Sequence, residues 1–589
     1  MLFKEVAGYY EKLEGVSSRL KMMELLSELL KAAHHGEIRK LIYMTQGILA
    51  PNFEGIEFGV AEKMLEDAIS TATGYTKEQV ESAYKKRGDM GETALDLRGS
   101  SKLKRMSVRE LEVSEVYDTM LKIAQTSGPG SKDAKIRLLA ELLASASPLE
   151  AKYMARYPIG QLRLGVGDST ILEALSISMT GSREAKKELE NAYNLCSDLG
   201  DVGETLAENG LGAIRKFGVS LFKPIRPALA ERLPTAEQIL KKMGGRCAVE
   251  QKYDGFRCQI HRDGRKVKIY SRNLEETTSM YPDVVEYVAS GVKAQKIIFE
   301  GEALAFNEST EQFLPFQETI QRKRKHGIEE KATELPLHLF AFDLMLLDGK
   351  DYMREPYETR RRALEGAIGK AKGISPTTRI IATEPKQLEG FFETSVENGL
   401  EGIVAKDLNS PYVAGAREFS WIKMKRSYKG ALSDTVDLVI VGYFLGRGNR
   451  AAFKFGGLLC AVYNPKRDVF ETISKIGTGF TEANMEAFRQ LLDRSVVKSR
   501  PARVDSDIAP DFWVEPKHVV TVRADEITKS PMHTCGRGKD ESGNDVGYAL
   551  RFPRIVGDGF VRKDKSASEA TTTKEIIEMY RQQKRVGVK

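Results

Sequence analysis

The hydrophobic period changes at Phe222-Lys223-Pro224-Ile225-Arg226-Pro227, and this change constrains the fold more than any other feature of the chain. Upstream, from Phe3 to about Gly218, apolar residues recur at helical spacing, as in Leu20, Met23, Leu26, Leu29 and Leu30, or Ile136, Leu138, Leu139, Leu142 and Leu143. The two prolines withdraw amide donors that a helix needs, and beyond them the pattern becomes strand-like. Cys247 to Lys252, Phe256 to Ile260 and Val267 to Tyr270 read as strands, the last two joined at the Asp263-Gly264 turn, and Lys296 to Phe306 and Leu337 to Leu347 follow. Helical stretches at Tyr357 to Ala371 and Pro385 to Asn398 make this portion α+β. After Arg426, the short strands Val436 to Phe444, Gly457 to Tyr463 and Val469 to Lys475 alternate with glycine-rich turns, which suggests a small barrel.

A chain of 589 residues is too long for one core. The expected division is an all-α domain over 1–218, an α+β domain with antiparallel sheets over 219–426, and a C-terminal β-barrel with a final helix over 427–589. Capping boxes mark two helix starts, Ser147-Pro148-Leu149-Glu150 and Thr572-Thr573-Lys574-Glu575. The second opens an amphipathic helix, with Ile576, Ile577, Met579 and Tyr580, that is expected to dock on a neighbouring domain. Between Gly160 and Ser169 lies a glycine-rich loop containing Arg163, Gly165 and Gly167 and leading into another helix. Such a loop lets backbone amides approach a phosphate; taken alone it reads as an ordinary helix connection.

The net charge of +7 permits a polyanionic partner without requiring one. Five cysteines without a C-x-x-C pair argue against a zinc module or disulfide framework and for a reducing compartment. The start, Met1-Leu2-Phe3-Lys4-Glu5-Val6, has no charged-then-apolar signal, and no apolar run reaches about 18 residues, so a cytoplasmic protein without a membrane segment is expected.

Chemistry concentrates around Glu250-Gln251-Lys252-Tyr253-Asp254-Gly255-Phe256-Arg257. A lysine at the end of an apolar strand can attack a phosphate if burial beside cations or a metal lowers its pKa and frees its lone pair. The tetrapeptide Lys252-Tyr253-Asp254-Gly255 is weak by itself, since most such turns merely flank a strand. Downstream, however, come Ser271-Arg272-Asn273, Phe299-Glu300-Gly301-Glu302, Phe342-Asp343, Glu401-Gly402-Ile403-Val404-Ala405-Lys406 and Trp421-Ile422-Lys423-Met424-Lys425. Strand alternation puts Lys423 and Lys425 on one face, a double cation suited to a triphosphate. The basic run Arg322-Lys323-Arg324-Lys325-His326 reads as a solvated loop.

With these motifs in order, the chain resembles the covalent nucleotidyltransferase superfamily, specifically the ATP-dependent DNA ligases of the archaeal and eukaryotic replicative type. The resemblance runs over the whole chain and extends to Arg551-Phe552-Pro553-Arg554 through Arg562-Lys563-Asp564-Lys565, which is similar to the motif that ligases carry on their oligonucleotide-binding (OB) fold domain. It implies an AMP-carrying nucleophile at Lys252, nucleotide contacts from Glu250, Arg257, Arg272, Glu302, Phe342, Lys406, Arg417, Lys423 and Lys425, and magnesium at Glu302 and Glu401. Glu250 would accept the adenine amino group and Phe342 would stack on the base. The helical N-terminal portion would bind nicked duplex DNA, with Arg163 and Gly165 among its contacts. ATP and magnesium are the implied cofactors and a monomer is expected. A sliding clamp is a known kind of partner for such ligases, but Gly99-Ser100-Ser101-Lys102-Leu103-Lys104-Arg105-Met106 lacks the glutamine and paired aromatics of the usual clamp motif. An RNA ligase or a GTP-using capping enzyme would share the lysine but not the long helical portion. An NAD-dependent ligase would need the missing zinc module, and a catalytically silent DNA-binding scaffold would not need the motif series.

Overall fold

The computed structural model describes the chain except residues 104–107, 308–311, 314–318, 320–321, 323–326, 370–371, 399, 426–434, 447–453, 478–479, 481, 525, 540–542, 544, 552, 557–560 and 587–589. Most of the basic run after Arg322, part of the 99–106 stretch, Phe552 and the boundary at 426/427 fall outside the described residues. Arg322 itself is buried and pairs with Asp283 at 2.8 Å, so it does not belong to a solvated loop.

From Phe3–Glu14 to Leu199–Ile214 the described secondary structure is helical apart from one isolated bridge between Leu2 and Glu112. One continuous core, including Leu26, Ile42, Leu65, Met120, Leu142, Leu172 and Leu206, lies between these helices. Each such side chain contributes about 1.5–3 kcal/mol on full burial. The capping box at Ser147 forms as expected, with Pro148 in the first turn of the helix Pro148–Arg156.

The central region contains two sheets. One orders Leu229–Arg232, Arg417–Lys425, Gly402–Lys406, Cys247–Lys252 and Arg379–Ala382. The other orders Lys266–Ser271, Phe256–Asp263, Lys296–Asn307, Leu337–Leu347 and Lys350–Asp351, with Ile374–Pro376 against Leu337–Leu347. The expectation of antiparallel sheets needs correction. Leu229–Arg232 runs parallel to Arg417–Lys425, and Ile374–Pro376 runs parallel to Leu337–Leu347, so both sheets are mixed. Long connections bring these short strands back to sheet edges in the same direction as their neighbours, which hairpins cannot do.

The C-terminal strands form a nine-stranded mixed sheet built on Thr435–Phe444, Gly457–Asn464 and Val469–Ile476, and a three-stranded sheet of Glu526–Ser530, Gly538–Lys539 and Asp545–Arg551. The last helix, Thr573–Val586, opens with its capping box, Thr572 and Glu575 exchanging hydrogen bonds of 2.8 and 3.3 Å. It docks on the central region through Lys574 to Glu231 at 3.1 Å and Arg417 to Glu575.

Candidate active site

Lys252 ends a strand whose earlier residues are buried on both faces. Tyr253 stacks on Phe340 with centroids 4.2 Å apart, which anchors the turn that follows. Gly255 then passes so close to the Ala303 carbonyl that a side chain there would collide with it, and its amide donates to Glu302 Oε1 at 3.2 Å. The motif's glycine is thus required by the packing of the turn against the Glu302 strand.

Sheet register brings the reactive groups together. Gly402 lies opposite both Lys252 and Lys425, so the adjoining Glu401 receives one ammonium on each carboxylate oxygen. Burial alone would raise the Glu401 carboxyl, but Lys252 and Lys425 hold it well below the usual carboxylate range. Burial by itself would lower Lys252, yet Glu401 and Glu302 outweigh it and raise the ammonium above its ordinary value. The expectation of a depressed lysine pKa is therefore reversed in this arrangement, because carboxylates rather than cations are its nearest partners. Lys425 is pulled below its ordinary value by burial, with Glu401 opposing.

Glu302 is pushed up to about 7 by burial, against the pull of Lys252 and Arg257. Asp254 is raised by burial and then by Glu401. Carboxylate oxygens suit a hard divalent cation that takes few protein ligands and completes its shell with water and phosphate. Glu302 and Glu401, both beside Lys252, would fit magnesium by donor type, with the ammonium groups now on Glu401 giving way to the ion. Among the described residues no group of three or more His, Cys, Asp or Glu forms a ready-made cage.

Glu250 lies two residues before Lys252 and hence on the same face of the strand. It is buried and receives the Tyr357 hydroxyl, Arg361 Nη1 at 3.3 Å and Lys406 Nζ at 3.0 Å. Lys406 also donates to the Phe342 carbonyl at 2.8 Å and stands 4.2 Å from the Trp421 ring centroid; burial lowers its pKa. It sits in the Glu250 pocket rather than with the Lys252 cluster. Phe342 meets Trp421 edge-on, with centroids 5.9 Å apart.

Arg257 makes a bidentate pair with Glu300, at 2.7 and 3.2 Å, and donates to the Ala228 carbonyl at 2.9 Å. Glu300, Tyr357 and Arg361 escaped the sequence reading. Glu300 carried a signal, since it and Glu302 alternate onto one face of their strand; Tyr357 and Arg361 lie on a helix far along the chain.

Arg272 pairs with Glu569 at 3.0 Å and Arg417 with Glu575, both acids from the C-terminal segment. Lys423 is driven well below its ordinary pKa by burial and then by Arg417, with Glu575 opposing. From the third region, Lys565 and Arg562 reach Asp437, and Arg562 also pairs with Asp564 at 2.5 Å. Glu401 is among the charges that raise Arg562, and Arg562 is among those that stabilise ionised Asp254, so this motif faces the Lys252 site.

In the helical region, Gly165 adopts φ +67°. Arg163 is buried, pairs with Asp89 at 2.9 Å and donates to the Arg494 carbonyl at 3.1 Å, so in this arrangement the C-terminal region covers it.

Three family models match the chain in order: the DNA ligase N terminus over residues 2–176, the ATP-dependent DNA ligase domain over 227–425 and the ATP-dependent DNA ligase C-terminal region over 451–565. A probable DNA ligase of Dictyoglomus turgidum is 48% identical across 100% of this chain and 99% of its own length. DNA ligases of Sulfolobus acidocaldarius and Saccharolobus solfataricus are 42% and 43% identical, covering 98% and 99% of this chain and 98% of each relative. With the motif series lying in the second and third matched segments and relatives this similar from end to end, the chain belongs to the ATP-dependent DNA ligase family.

Proposed function

We propose that this chain seals nicks in double-stranded DNA, in replication, repair and recombination, by carrying AMP on Lys252. The observation that carries the reading is one strand face holding Glu250 and Lys252, with Glu401, Lys425 and Glu302 gathered around the lysine. A nucleotide laid along this face puts its base beside Glu250 and Phe342 and its α-phosphate beside Lys252.

In the resting arrangement Glu401 holds the Lys252 ammonium protonated. Drawing Glu401 away removes the largest of the charges that raise the lysine, so that Lys252 gives a proton to water and its Nζ attacks the α-phosphate. A P–N bond forms and the bond to pyrophosphate breaks. The AMP then passes to the 5′-phosphate at the nick, which frees Lys252. Finally the 3′-hydroxyl attacks that phosphate, closes the phosphodiester and releases AMP. Lys425 and Lys423 face the phosphate charge that develops, and one well-placed donor of this kind contributes about 3 kcal/mol. Magnesium, held by Glu302 and Glu401, would supply positive charge to the phosphate oxygens.

We read the C-terminal strands as an OB-fold domain that closes over ATP through Arg562 and Lys565, the domains dividing at 218/219 and 426/427. Arg272 and Arg417 are the nucleotide contacts at the rim and Arg257 props the Glu300 wall. Arg163 and Gly165 belong to the DNA face, and the protein acts as a cytoplasmic monomer. No described helix is long and apolar enough to cross a membrane.

Incubation with magnesium and α-phosphate-labelled ATP tests the reading. The expected result is label that survives denaturation, is absent from Lys252→Ala, and is released on sealing of a nicked DNA duplex. Wild-type protein that takes no label from ATP would sink it.

A further inference from the structure

Tyr357 opens the helix Tyr357–Ile368, and the chemistry at Lys252 gives it no part, yet its side chain is fully buried and ends on Glu250. The start of this helix is pinned. The Tyr357 amide donates to the Ser410 carbonyl at 3.0 Å, and Arg360 reaches both oxygens of Asp343, at 2.7 and 3.1 Å. Arg361 stands one turn beyond Tyr357 and so lies on the same side of the helix. It donates to the Thr377 hydroxyl at 2.6 Å and the Thr377 carbonyl at 2.5 Å as well as to Glu250. Among the described residues the Tyr357 hydroxyl has Glu250 alone as its partner.

The backbone of Glu250 is fixed between two strands, opposite Val404 on one side and Arg379 on the other. That pairing leaves the side-chain torsions free, and the last of them turns broadly. The bonds settle them: Oε1 takes the Tyr357 hydroxyl and Arg361, and Oε2 takes Lys406 at 3.0 Å. Lys406 Nζ in turn lies 5.1 Å from the Tyr357 ring centroid, so one side chain steadies both members of that ion pair. Burial and the charge of Glu250 raise the phenol well above its ordinary pKa, so it remains a donor at neutral pH. An ionised carboxylate accepts at about four positions and donates at none. With three donors already on Glu250, roughly one position is left for a group outside the chain. The exocyclic amino group of adenine donates into such a position, whereas guanine carries a carbonyl at the same place and meets the carboxylate with a second acceptor.

We infer that Tyr357 is a positioning residue for base selection: its hydroxyl, backed by Arg361, holds Glu250 with one acceptor position turned to the amino group of the nucleotide. This rests on the assignment of Glu250 to the adenine and deepens it, by naming what makes a flexible glutamate discriminate. Tyr357 acts through Glu250, so its loss is felt in binding of the base more than in transfer at the phosphate.

The test compares covalent labelling by ATP with labelling by purine riboside triphosphate, which differs from ATP only in lacking the 6-amino group, each carrying a labelled α-phosphate. The proteins are wild type, Tyr357→Phe, Glu250→Gln and the double variant. Wild type should favour ATP over the analogue in kcat/KM by about tenfold or more, as one hydrogen bond to a charged group provides. Tyr357→Phe should reduce that ratio at least about threefold, mainly through a higher KM for ATP. Adding Tyr357→Phe to Glu250→Gln should change the ratio no further, because the glutamate through which the hydroxyl acts is gone. A smaller fall in the ratio for Tyr357→Phe, which is what a purely structural defect slowing both nucleotides alike would give, overturns the proposal. So does an equal fall in the Glu250→Gln background. Wild type that labels equally well from both nucleotides would instead remove Glu250 from the base, and wild type that takes no label from ATP would remove the nick-sealing reading itself, so the failures are distinguishable.

Discussion

The floor of the active site and its rim are both built from ion pairs, but the partners come from different places. On the floor, Asp343 pairs with Arg360 at 2.7 Å with neither side chain exposed, and Glu250 pairs with Lys406 at 3.0 Å, all within the central region. At the rim, Arg272 and Arg417 take Glu569 and Glu575 from the far end of the chain. Floor pairs lie under packed strands, so breaking one leaves a charge buried in low dielectric. Rim pairs instead join the central region to a segment more than 150 residues further along the chain, so each ties together two regions rather than bracing one. The same chemistry therefore builds an internal wall in one place and a seam between regions in the other.

The largest effect expected from breaking this contrast lies on the floor. Arg360→Met strands Asp343 and should cost about 3–5 kcal/mol in denaturant unfolding; a loss comparable to a rim variant would erase the distinction.

Next come the carboxyls whose shifts have opposite signs. Glu302, raised to about 7 in the folded chain, stabilises the fold below its ordinary value of 4.5, and that contribution is lost as pH rises through about 7. Glu302→Gln should therefore stabilise the nucleotide-free protein at pH 8 by on the order of 3 kcal/mol, with no gain near pH 4, while magnesium-dependent labelling falls. Melting curves at the two pH values check the sign. Glu575, lowered from 4.5 to about 2 chiefly by Arg417 and Lys423 against burial, behaves inversely: its contribution is present above 4.5 and lost as pH falls through about 2.

Glu575→Gln should loosen the C-terminal helix by about 2 kcal/mol, seen as faster proteolysis within 566–586 without a change in the melting of the central region. The smallest effect is expected for Glu569→Gln, whose partner Arg272 is 35% exposed. It should cost less than about 1 kcal/mol and disappear at high salt.

Local structure was legible because it depends on neighbours in sequence. The helical period up to residue 214, the capping boxes at Ser147 and Thr572, and the strand that ends at Lys252 all appear where the pattern placed them. The parallel pairings were not legible, since Leu229–Arg232 meets a strand almost 190 residues later and nothing local encodes its direction. Arg257 illustrates the limit within the site. Its residue type and position suggested a phosphate contact; that it also pairs with Glu300, the diagonal neighbour of its directly opposed Glu302, follows from the pairing of two strands that the local sequence does not specify.

The sequence by itself determined which residue types stand at which strand positions, and so the family and the identity of a lysine that ends a buried strand before a glycine turn. Only the tertiary structure decided how those charges are paired and what state they hold. Lys252 is raised rather than lowered because sheet register sets Glu401 between it and Lys425. Coulomb energy depends on distance and burial in three dimensions, and separation along the chain specifies neither.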